Sequence, residues 1–84
     1  MNMRAILTSQ LVLLFKEVDT LNNLVEILPK GDKRGIIYLD NIIKLEDRIL
    51  KLSRNDPKVL RSTLKKLGYH GKELTTKENI ILGE

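Results

Sequence analysis

Between Pro57 and Lys72 the chain carries five cationic side chains, Lys58, Arg61, Lys65, Lys66 and Lys72, and not one carboxylate. On a helix, Lys58, Arg61 and Lys65 align in steps of three and four, opposite Leu60, Leu64 and Leu67. The chemistry open to such a face is anion binding, to phosphate groups or to an acidic protein surface. Lys33 and Arg34 extend the footprint if the fold brings them near. The plainer reading is a solvated helix face, with Lys65 and Lys66 favourably placed near the negative end of the helix dipole.

Other chemistry finds little material. The one histidine, His70, sits in the turn-like Gly68-Tyr69-His70-Gly71, where it is a pH sensor or base at most. There are no cysteines, so disulfides and thiolate metal sites are both excluded. Glu46 and Asp47, being adjacent, point to different parts of a helix surface and suit ion pairs with Lys44 or Lys51 better than acid–base work. Gly31 and Gly35 lack the lysine and hydroxyl that follow a phosphate loop. The expectation is a non-enzymatic protein with no cofactor, no metal and no small-molecule substrate.

The elements that must position the cationic face are helical. Leu7, Leu11, Leu14, Val18, Leu21, Val25 and Leu28 alternate in steps of four and three, which is a heptad seam on a first helix over residues 3–28. Pro29 ends it, because the residue before a proline disfavours helical geometry. Residues 29–35 (PKGDKRG) read as a turn, and a second helix over 35–53 follows, with Tyr38, Ile42, Leu45, Ile49 and Leu52 as its seam. Ile36, Leu39, Ile43 and Leu50 broaden that seam. By propensity alone Gly35 to Leu39 is also readable as a short strand.

Asp56 and Pro57 have the form of an N-cap and a first helical residue, and they open a short basic third helix over 57–67. Gly68 suits the left-handed position past its end, with Tyr69 placed to touch Leu64. Over residues 72–84 the sequence supports either an extended tail or a short last helix, opened by a Thr75–Glu78 capping box. Leu60 to Leu82 resembles a helix-turn-helix, with Gly68 near the turn. Its second segment, Thr75 to Leu82, is short for a recognition helix and sets Lys77 against Glu78.

The pattern therefore predicts an all-α single domain, 1–84: an antiparallel hairpin plus a short third helix. Such a small core is often completed by a disulfide, a metal or a second chain, and only the last is open here. Ile6, Leu13, Phe15, Leu24 and Ile27 widen the first helix beyond what the second and third can cover. A two-fold dimer with a four-helix-type core is the expectation, with Leu7, Leu11, Leu14, Phe15, Val18, Leu21, Leu24, Val25 and Leu28 at the interface. The cationic residues Lys33, Arg34, Lys58, Arg61, Lys65, Lys66 and Lys72 would form the recognition face.

Charge and hydropathy bound the rest. Net charge is +4, modest for a dedicated DNA binder, and aromatic residues are scarce, so stacking platforms for bases are mostly lacking. Arg4 and the apolar stretch to Phe15 loosely mimic a leader, but Thr8, Ser9 and Gln10 interrupt it and no small-residue cleavage site follows. No run of about 20 apolar residues occurs. The expected protein is cytoplasmic and has no membrane partner. The leading expectation is a regulator, adaptor or inhibitor that binds another protein. Its alternatives are a nucleic-acid-binding regulator using the third helix and a subunit folded only with a partner chain.

Overall fold

The structure, a computed structural model, describes residues 2–83 and is all-helical. Helix α1 spans Met3–Ile27, α2 Lys33–Asn55, α3 Pro57–Lys66 and α4 Gly71–Leu82. Each of the first three starts where a short polar side chain meets a free backbone N–H. Asn2, Asp32 and Asp56 accept from the N–H groups of Arg4, Arg34 and Lys58 at 2.9, 2.9 and 3.2 Å. Leu28 is extended, at φ −75° and ψ 144°, as a residue before proline should be.

Helix α2 begins two residues before the expected Gly35 and runs two past Ser53. Asp32 caps ahead of Lys33, so the β-branched residues Ile36 and Ile37 enter a helix already started. The alternative strand over Gly35 to Leu39 does not form. At the other end the helix continues until Pro57 forbids helical geometry at Asp56.

Helix α3 stops one residue earlier than expected, in a Schellman turn. Gly68 adopts φ +101°, its N–H donates to the Lys65 carbonyl at 3.1 Å, and the Tyr69 N–H donates to the Leu64 carbonyl at 3.0 Å. Of the two readings of the last segment, the helix forms and the extended tail does not, but α4 starts at Gly71 and no Thr75–Glu78 capping box opens it. Thr75 and Thr76 lie inside the helix, and the Glu78 carboxylate reaches Arg61 of α3 instead of a backbone N–H. His70 occupies the N-cap position without a side-chain hydrogen bond.

The core sits at one end of the hairpin. Leu11, Ile49, Val59, Leu60, Leu64 and Leu74 are buried together, with Leu7, Leu14, Phe15, Val18, Leu52, Tyr69, Ile81 and Leu82 packed around them. Helix α3 crosses α1 and α2 there, and α4 rests on α2 and α3. Residues from about Leu21 to Leu45 contribute nothing to that cluster. They continue as a two-helix arm whose own seam holds Leu21, Leu24, Val25, Leu28, Tyr38 and Leu45 half-buried and Ile42 buried. The Asp32 N–H donates to the Pro29 carbonyl at 3.1 Å to close the arm's tip, with Gly31 at φ +87° inside that turn.

Candidate interaction surfaces

Two sets of residues on α2 share the step of three and four, and the structure separates them. Tyr38, Ile42, Leu45, Ile49 and Leu52 face inward. Ile36, Leu39, Ile43 and Leu50 form a second stripe roughly a third of a turn away at 100° per residue. Ile36, Leu39 and Ile43 are 72%, 48% and 66% exposed. That is a heptad-spaced seam, interrupted only by Glu46; Leu50 is half-buried at the groove beside α4, and no described helix lies on Ile36, Leu39 and Ile43.

On α1 the arrangement differs from the sequence-derived interface. Leu11 is fully buried and Leu7, Leu14, Phe15 and Val18 pack against the core, so these five are engaged within the chain. Leu21, Leu24, Val25 and Leu28 are half-buried along the arm. Of the side chains expected to stay in water, Leu13 and Ile27 do so, while Ile6, Phe15 and Leu24 are half-buried. The accessible surface is 6226 Å², against about 5,100 Å² for a typical folded monomer of this mass. The radius of gyration is 14.1 Å, against roughly 12 Å for a compact chain of this length.

The cationic residues divide into two places. Lys33 and Arg34 open α2 at the tip of the arm, separated from Asn55 and the start of α3 by roughly 33 Å of helix. Arg34 is turned back on Asp32, with its Nη2 2.7 Å from the carboxylate. The Arg34 side-chain and backbone hydrogen bonds hold the Asp32 carboxyl down at about 2. Lys58, Lys65 and Lys66 on α3 and Lys72 on α4 are exposed and make no ion pair among the described residues. Arg61 is engaged, with its Nη1 2.7 Å from the Glu78 carboxylate. Two α2 carboxylates form ion pairs, Asp40 with Lys44 and Asp47 with Lys51, each at 3.0 Å, while Glu46 forms none among the described residues.

A groove of about 690 Å³ runs between α1, α2 and α4, floored by Phe15, Val18, Ile49 and Ile81 and edged by Asp19, Glu46, Asp47 and Glu73. It depends on α4 and so escaped sequence reasoning. Tyr69 stands at its edge with the Lys77 ammonium 5.8 Å from the ring centre. Among the described residues no three His, Asp or Glu side chains gather to hold a metal ion. No described helix is long and apolar enough to cross a membrane. No family model, curated protein or solved structure matches the chain.

Proposed function

We propose that this chain is a non-enzymatic interaction module that works as a two-fold dimer, pairing the exposed stripe of α2 with that of a second copy. The α3–α4 end is then left free to meet another macromolecule. The observation that carries the reading is the unpartnered seam Ile36–Leu39–Ile43 on the projecting arm. The chain's excess surface, about 1,100 Å², is of the order that one partner buries in a specific interface, roughly 800 Å². Charge favours a second copy over an oppositely charged stranger. Residues 21–45 carry four basic and three acidic groups, and Asp32–Arg34 and Asp40–Lys44 already neutralise one another. Two hairpin arms laid together supply four helices around one apolar seam.

Sedimentation equilibrium tests this. The wild-type chain is expected to dimerise at micromolar concentration, with a thermal midpoint that rises with concentration. Ile36→Glu with Ile43→Glu should give a folded monomer by circular dichroism, whereas Leu13→Glu on α1 should leave the dimer intact. A wild type that stays monomeric to millimolar concentration, or a double variant as dimeric as wild type, overturns the reading.

A further inference from the structure

We infer that α3, the Leu67–His70 turn and α4 form a helix-turn-helix that reads duplex DNA, with α4 entering the major groove. The inference rests on the pairing proposed above only for the spacing of two half-sites. Binding by a single copy stands apart from it.

The two helices have 10 and 12 residues and are joined by four, with Gly68 at φ +101° supplying the sharp turn. At about 18 Å, α4 is long enough to lie across a groove about 12 Å wide. Its inner side is fixed. Leu74 is buried, Ile81 and Leu82 pack on the core, and Glu78 is held by Arg61. With that side inward, helical spacing turns Lys72, Thr75, Thr76 and Asn79 outward, and all four are exposed. Those are the tips that pair with base edges: asparagine with adenine, lysine with guanine, threonine with an acceptor or the thymine methyl. Glu73 lies roughly 110° round the helix from the centre of that stripe.

Phosphate contacts are available on either side of the turn. Lys58, Lys65 and Lys66 are exposed without carboxylate partners among the described residues. Helix α4, alone of the four, has no side chain accepting from its first N–H groups, which leaves them for a phosphate oxygen. Arg61 is a positioning residue, locking α4 to α3 through Glu78. An acidic protein surface would satisfy the lysines but has no use for the uncharged stripe Thr75–Thr76–Asn79. Duplex RNA presents a major groove too narrow for α4.

The test incubates the full chain with duplexes carrying a random central segment and sequences those retained. Fluorescence anisotropy across a salt series then compares the winner with its scrambled counterpart. One sequence should emerge and bind about 1,000-fold or more tighter than the scrambled duplex. Thr76→Ala with Asn79→Ala should cut that preference by roughly 5- to 150-fold per lost contact and leave the salt slope unchanged. Lys65→Glu with Lys66→Glu should weaken binding to every duplex and lower the slope by about two. All four positions are exposed, so helix content by circular dichroism should not move.

No enrichment, an unchanged preference in the Thr76/Asn79 variant, or equal binding of duplex RNA or polyglutamate would overturn the inference. A chain that selects one half-site while sedimenting as a monomer keeps this inference and removes the pairing. A dimer that enriches nothing does the reverse.

Discussion

Three small polar residues sit in the core, and one of them lacks a partner. Thr8 and Thr63 are buried, and their hydroxyls donate to the carbonyls of Arg4 and Val59, each at 2.8 Å. Ser53 is fully buried and its Oγ has no hydrogen-bond partner. A buried, unsatisfied hydroxyl is destabilising, and alanine is also the better helix former. Ser53→Ala is therefore expected to raise the unfolding free energy by about 1 kcal/mol, read from urea denaturation. A loss of stability would mean that the hydroxyl finds a partner in solution. Nothing in the sequence marks Ser53 as buried, because it lies where the second helix was expected to end. Its burial comes from the packing of other helices on α2, which no local signal encodes.

At the scale of elements, two glycines predict opposite signs. Gly68 holds φ +101° with open space around a would-be Cβ, so Gly68→Ala meets backbone strain and nothing else. It should cost about 1–2 kcal/mol and loosen the α3–α4 turn. Gly35 lies inside α2 at ordinary helical φ, and its Cβ would meet only the Leu28 Cδ1 at 3.9 Å. Gly35→Ala should stabilise by about 0.5–1 kcal/mol. Thermal denaturation of both variants decides, and equal signs would refute the contrast. These positions also show what was legible in the sequence. Pro29, Asp56-Pro57 and Gly68 act on their immediate neighbours, so the boundaries they set are readable without the fold. Helix α4 has no such marker. Its N-cap makes no side-chain bond, its Thr75–Glu78 pair mimics a start it does not provide, and what holds it is tertiary: Leu74, Ile81 and Leu82 packed on the core, and Glu78 paired with Arg61 of α3. On α2 the seam read from the sequence, Tyr38, Ile42, Leu45, Ile49 and Leu52, is the one that faces inward, whereas the exposure of the flanking Ile36, Leu39 and Ile43 follows from where the other helices lie.

For the whole molecule, the decisive event is where α3 lands. It covers the N-terminal half of the α1 seam and leaves the outer stripe of α2 bare. Unmet apolar surface thus remains on α1, at Leu13 and Ile27, and is gathered into a continuous stripe on α2, at Ile36, Leu39 and Ile43. The sequence carries the amount of apolar surface but not its distribution, which depends on a crossing that no local signal encodes. The same crossing grades how firmly each helix is held. Helix α3 has four buried residues, Val59, Leu60, Thr63 and Leu64, whereas α4 has one, Leu74. Opening free energies should follow that order, since a helix with few buried contacts can detach while the rest stays folded. Native-state hydrogen exchange is expected to show α4 amides exchanging through a partial opening well below the global value, with Val59–Leu64 exchanging only on complete unfolding. Equal opening energies for the two helices would exclude such a detached state. If α4 does come away by itself, the chain has a rigid three-helix body carrying one loosely fastened helix. The element that presents Lys72, Thr76 and Asn79 is then also the one most easily re-seated against an imperfectly matching surface.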